Sequence, residues 1–112
     1  MNSFEEMDLH PQILKGVKSL GFEKPFAIQE RAIGPLLSGR NVIGQAKTGS
    51  GKTAAFGLPL LQKINPDTWD VQALVLAPTR ELAVQITAEL KKLAAYTRIK
   101  LVTIYGGQSI NV

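Results

Sequence analysis

Ala46-Lys47-Thr48-Gly49-Ser50-Gly51-Lys52-Thr53 is the stretch on which the reading of this 112-residue chain turns. A strand-like run at residues 41–45 leads into it, and a helix-like run at 53–64 leads out. A glycine-bearing loop between a strand and a helix N-terminus is a place to hold phosphate. The first N–H groups of a helix have no intrahelical acceptor and carry the positive end of its dipole. Gly49 and Gly51 put no Cβ in the way of an approaching oxygen. Lys52 adds a mobile positive charge for β- and γ-phosphates, and the Thr53 hydroxyl suits a magnesium ion. The eight residues match G-x-x-x-x-G-K-[ST] at every fixed position but the first, where Ala46 replaces Gly. That position serves a turn more than a phosphate contact. A flexible Gly/Ser linker that happens to contain Lys-Thr is the plain alternative, and the flanking strand and helix patterns speak against it.

Working back towards the N-terminus, residues 8–20 carry Leu9, Ile13, Leu14, Val17 and Leu20 as a helical stripe. Asp8 is the expected cap, Pro11 lies in the first turn and Gly21 follows the end. After a turn stiffened by Pro25, residues 27–37 set Ile28, Ala32, Ile33, Leu36 and Leu37 on one face, with Pro35 expected to bend or shorten the helix. Forward of the loop helix, 65–70 is polar and turn-forming, and 71–77 is an apolar run that Pro78 ends. Residues 80–96 space Leu82, Ile86, Leu90 and Leu93 along one helical face. Residues 100–105 form a third strand-like run, stopped by Gly106-Gly107.

Two helices followed by β-α-β-α-β predict an α/β fold, a parallel sheet with helices on both faces and right-handed crossovers. The length fits one ordinary domain, 45% hydrophobic and 20% charged residues read as globular, and no internal repeat or linker is evident. Thirteen Lys+Arg against nine Asp+Glu leave a net charge of +4, which permits a polyanionic partner without requiring one. No cysteine and a single His exclude disulfides, thiolate metal sites and a histidine zinc cluster. The N-terminus is acidic where a signal peptide is basic, and no apolar run is long enough to cross a bilayer, so a cytoplasmic protein without a membrane partner is expected, with a nuclear one open if the source is eukaryotic.

Three further constellations bear on chemistry. In Gly21-Phe22-Glu23-Lys24-Pro25-Phe26-Ala27-Ile28-Gln29, the Gln29 amide suits the acceptor and amino donor that an adenine edge presents side by side, and an aromatic such as Phe4 suits its face. Alternatively Gln29 is a solvated helix residue and Phe4, Phe22 and Phe26 are core. Pro78-Thr79-Arg80-Glu81-Leu82-Ala83 follows the second strand at the carboxyl edge, where open α/β sheets bind ligands, so Thr79 and Arg80 suit a second anion. Thr79 also reads as a plain helix cap with Glu81 in the first turn, and both readings hold together. Gly106-Gly107 lies at the same edge, either as a simple turn or as bare backbone open to a sugar-phosphate chain. His10 and Trp69 receive no role.

Taken in order, these stretches resemble the DEAD-box family of ATP-dependent RNA helicases. Phe4 with 21–29 looks like that family's isolated aromatic and Q motif, 46–53 like its motif I, which characteristically begins with Ala, 78–83 like motif Ia, and Gly106-Gly107 like its glycine doublet. The resemblance covers nearly the whole chain. It implies that residues 1–112 are the N-terminal portion of a first RecA-like domain. ATP and Mg2+ would be held through Phe4, Gln29 and Ala46, Lys47, Thr48, Gly49, Ser50, Gly51, Lys52 and Thr53, with Lys52 and Thr53 serving catalysis and Thr53 the metal. Single-stranded RNA backbone would be held, without base preference, by Pro78, Thr79, Arg80, Gly106 and Gly107. No Asp-Glu-Ala-Asp sequence occurs here, nor a second RecA-like domain, so the 112 residues alone should lose most turnover. The family places later strands between the phosphate-loop strand and the second one. The remainder of the helicase core, or a partner chain, is therefore expected to complete the sheet. Two rivals stand beside this: a non-catalytic nucleotide- or RNA-binding module, and another phosphate-loop ATPase such as a DNA helicase.

Overall fold

The computed structural model describes residues 3–47 and 51–106. Among them four α-helices follow a short 3-10 turn, Phe4–Met7: α1 (Pro11–Ser19), α2 (Ala27–Leu37), α3 (Lys52–Gln62) and α4 (Arg80–Leu93). Each falls where the apolar spacing predicts a helix: α2 keeps both predicted ends, and no end of the others moves by more than three residues. The start of α1 is the instructive shift. Asp8, expected to cap it, instead ends the 3-10 turn in the left-handed region at φ 63°. Asp tolerates that region better than most residues with a Cβ. The cap is His10, whose Nδ1 accepts from the Gln12 amide at 3.3 Å. Gln62, at the end of α3, then fastens the junction: its side-chain oxygen accepts from the His10 amide at 2.7 Å and its nitrogen donates to the Asp8 carbonyl at 2.9 Å.

The apolar faces of these helices meet in one core. Ile13 and Val17 of α1, Ile33 of α2, Leu58 and Leu61 of α3, and Leu90 and Leu93 of α4 are buried together with Phe4 and Met7. α2 packs on α3, α3 on α4, and α1 lies against α3 and α4. Close approach depends on Gly16. A Cβ there would run into the backbone carbonyl oxygen of Leu93, so α1 and α4 touch main chain to side-chain-free main chain. Pro35 is accommodated inside α2, which keeps its expected length.

The sheet expected from residues 41–45, 71–77 and 100–105 is not formed among the described residues. No strand ladder is present, and no backbone–backbone hydrogen bond joins these segments to one another. A strand is defined and stabilised by its neighbours, so an apolar run without one has no ladder to enter. What persists is the period-2 pattern. Ile99, Leu101, Thr103 and Tyr105 are half-buried, while Lys100, Val102 and Ile104 between them are exposed. The inward set lies on the helices: Ile99 and Leu101 pack against the core, and the Thr103 and Thr87 hydroxyls are 2.6 Å apart. The outward set is open to solvent, as are Ile43, Val71, Leu74 and Leu76, which are 78% or more exposed.

Residues 71–77 and 100–105 nevertheless face each other across a groove of about 1010 Å3 floored by Ala83, Ile86, Thr87 and Leu90 of α4. Side chains tie the two segments at one end. Arg98 pairs with Asp67 at 2.6 Å, and the Lys100 ammonium lies 4.1 Å from the Trp69 ring centre and 3.3 Å from the Pro66 carbonyl oxygen. Trp69 thus has a structural task that the sequence does not announce.

The Gly16 contact generates the first prediction. Gly16→Ala should destabilise the protein by about 1–3 kcal/mol, because the obstructing atom belongs to backbone and cannot rotate away. Urea unfolding measures it, and Gln12→Ala, at an exposed position of the same helix, should fall within about 0.5 kcal/mol of the parent.

Candidate functional site

The phosphate-loop sequence ends where α3 begins. Gly51 is the N-cap, at φ 81°, a conformation that costs a residue with a Cβ roughly 1–2 kcal/mol. The first helical hydrogen bond runs from Ala55 N to Gly51 O, at 3.1 Å. The amides before it belong to the first turn and have no acceptor within the helix, which is the electrostatic arrangement an anion requires. Lys52 is exposed, and its ammonium donates to the Ala46 carbonyl oxygen at 2.6 Å, spanning the mouth of the loop. Thr53, half-buried one residue on, makes no side-chain hydrogen bond among the described residues, so its hydroxyl is available to an incoming group. Lys47 is exposed. Thr48, Gly49 and Ser50 lie outside the described residues.

Gln29 is brought directly onto this loop. It is 1% exposed, the one buried polar side chain in the described core. Its oxygen accepts from the Phe26 amide at 2.9 Å, one half of a capping box on α2, and its nitrogen donates to the Gly51 carbonyl at 3.1 Å. Each amide atom keeps one further hydrogen-bonding capacity. A Cβ on Gly51 would collide with that nitrogen and with the Phe26 ring. The glycine is therefore required twice, by its φ and by its neighbour. Phe4 is placed otherwise: it is 3% exposed, and its ring stacks on Phe22 with centres 6.2 Å apart. The exposed aromatic beside Gln29 is Phe26, 48% accessible.

A second group of predicted residues gathers at the far end of the groove. Thr79 caps α4, its hydroxyl oxygen accepting from the Leu82 amide at 3.1 Å, as the cap reading requires. Pro78, Thr79, Arg80 and Gly106 line the groove mouth together. The Arg80 guanidinium lies 5.1 Å from the centre of the Tyr105 ring. Gly107 lies outside the described residues. Sequence reasoning missed Tyr105, although an aromatic directly before a glycine doublet at the same sheet edge was there to be read. Among the described residues no group of three or more His, Cys, Asp or Glu gathers to hold a metal ion, and no helix is long and apolar enough to cross a membrane.

Comparison with known proteins decides the family. The DEAD/DEAH box helicase model matches residues 26–112. The chain belongs to that family. It is 50% identical over 111 residues to the DEAD-box ATP-dependent RNA helicase CshA of Bacillus cereus, covering 99% of this chain and 21% of the relative. The chain thus spans about a fifth of the length of the curated relatives it matches. Among solved structures, a DEAD box protein from Methanococcus jannaschii superposes with a TM-score of 0.93 at 40% identity, covering 99% of this chain and 31% of that one. Saccharomyces cerevisiae Dbp5 bound to RNA and ADP BeF3 gives 0.86, also at 40% identity, over 99% and 30%.

The crowding at Gly51 yields a coupled prediction. Gly51→Ala should cost about 1–3 kcal/mol in urea unfolding. Gln29→Ala should cost a similar amount by stranding the Phe26 amide. The double variant should be destabilised by clearly less than the sum, since removing the Gln29 side chain clears one of the two collisions.

Proposed function

We propose that the chain is the ATP-binding segment of an ATP-dependent RNA helicase, a first RecA-like domain in its N-terminal portion. One observation carries this reading. The residue suited to an adenine edge, Gln29, hydrogen-bonds the cap residue of the phosphate-binding helix, so base and phosphates of one nucleotide meet linked groups. Lys52 exchanges the Ala46 carbonyl for β- and γ-phosphate oxygens, and the first turn of α3 receives the phosphate charge. The Thr53 hydroxyl would hold Mg2+, which would supply charge neutralisation for the phosphates. The residues fit a phosphate group with its metal ion: the exposed Lys52 ammonium and the helix N-terminus suit the phosphates, and the Thr53 hydroxyl, which makes no hydrogen bond among the described residues, suits the ion. The amide capacities left on Gln29 favour adenine over guanine, whose corresponding edge presents two acceptors and no donor.

RNA is held at the groove mouth by Thr79, Arg80 and the turn at Gly106 through phosphates and sugars, which makes binding indifferent to base sequence. Support comes from relatives named as ATP-dependent RNA helicases and from the match to a structure carrying RNA and ADP BeF3. The carboxylates that orient water and metal are supplied by sequence outside residues 1–112, where no Asp-Glu-Ala-Asp occurs. The same remainder of the core completes the parallel sheet by pairing with residues 41–45, 71–77 and 100–105. The unpaired backbone, the exposed Val102 and Ile104, and the groove between two facing segments all favour such pairing.

Two outcomes check this, both in the protein expressed from its full reading frame. ATP should bind at least tenfold tighter than GTP, Gln29→Ala should erase that preference, and Lys52→Ala should remove RNA-stimulated phosphate release. Equal affinity for the two nucleotides, untouched by Gln29→Ala, rejects the assignment. Amide hydrogen exchange at residues 71–77 and 100–104 should be slow in that protein and at least a hundredfold faster in residues 1–112 alone.

A further inference from the structure

We infer that Tyr105 is a positioning residue for nucleic-acid binding, holding the Arg80 guanidinium at the groove mouth by a cation–π contact; this rests on the RNA reading of that edge. Arg80 is the first residue of α4, exposed, and carries a long side chain whose freedom would otherwise blur where its charge sits. The Tyr105 ring is half-buried, on the inward side of residues 99–105, with its neighbours Thr103 and Leu101 fixed against α4 and the core. It is therefore a platform anchored to the same helix that Arg80 begins. The guanidinium lies 5.1 Å from the ring centre, within the range of a productive contact. A planar guanidinium on an aromatic face leaves its edge N–H groups pointing outward, free to donate to a phosphate. The ring stands one residue before Gly106 and the guanidinium one residue after Thr79, so the contact ties together the two stretches proposed to share one phosphate chain.

The test uses the protein from its full reading frame, a labelled single-stranded polyuridine oligonucleotide and a non-hydrolysable ATP analogue. Arg80→Ala should weaken binding about tenfold and flatten its salt dependence by about 0.7 in log–log slope. Tyr105→Leu should weaken it about 3-fold, Tyr105→Phe should stay within about 2-fold of the parent, and Tyr105→Leu should add nothing on top of Arg80→Ala. Nucleotide affinity measured without RNA should be unchanged in Tyr105→Leu. Independently of RNA and of any loss of stability in Tyr105→Leu, the Arg80 side-chain protons should show an upfield ring-current shift that Tyr105→Phe retains. An additive loss in the double variant, a Tyr105→Phe as damaging as Tyr105→Leu, or the absence of the ring-current shift overturns the positioning role. If Arg80→Ala leaves RNA affinity intact, the RNA reading of the edge falls, and the inference with it; if only the tyrosine variants are silent, the inference falls alone.

Discussion

The Gln29 amide is the interaction on which the proposed nucleotide side of this molecule depends. It is a buried polar group, and such groups persist only when their atoms are satisfied. Here both are, by the start of α2 on one side and the cap of α3 on the other. One side chain thereby sets the register between two helices and fixes the carbonyl of Gly51. The fixed carbonyl accepts the first hydrogen bond of α3, so the direction in which that helix presents its free amides follows from Gln29. A side chain at Gly51 is penalised twice, by the positive φ and by the Gln29 and Phe26 side chains above it.

The helices were legible in the sequence because their information is local. Ile13 and Val17, Leu58 and Leu61, Leu90 and Leu93 repeat at helical spacing, and each stripe finds its core among the other stripes. What was misread lies at helix ends, where two residues compete for one task. Asp8 and His10 can both cap; the competition is settled by Gln62, more than fifty positions away, whose bonds reach both residues. No local pattern contains that information. The strands fail for the opposite reason. Residues 71–77 and 100–105 have the right composition and alternation, but a ladder is a property of pairs, and the partners are not among the described residues.

The candidate site was readable in a similar division. Lys52, Thr53, Gln29, Thr79 and Arg80 come from motifs with fixed spacing and a physical reason for each residue type. Phe4 shows the limit of that reasoning. An aromatic suits a base face and a core equally well, and the stripe with Met7, Ile13 and Val17 draws it into the core beside Phe22. Tyr105 shows the converse, a residue whose composition suggests only strand, and whose relevance appears when α4 brings Arg80 across to it.

The two halves of the site rest on different supports, and this orders them energetically. The nucleotide half is built on α2 and α3, which pack on each other and bury Ile33, Leu58 and Leu61, so its geometry is held by a core that needs no sheet. The proposed nucleic-acid half combines the start of α4 with the ends of two segments that have no backbone pairing to each other among the described residues. There, position is maintained without a backbone ladder among the described residues: by Ile99 and Leu101 on the core, Thr103 on Thr87, Arg80 on Tyr105, and at the other end Arg98 on Asp67, Lys100 on Trp69 and Gln72 on the Asn65 backbone. The exposed ion pair and cation–π contacts among these are worth roughly 0.5–1 kcal/mol each, far less than a strand ladder and a covered apolar face. A segment entering the groove between 71–77 and 100–105 would therefore stiffen the nucleic-acid edge much more than the nucleotide loop. The Gln29–Gly51 junction at the start of α3 is the part of the proposed site that the helices already hold, and the edge is the part whose precision would be conferred by what pairs with it.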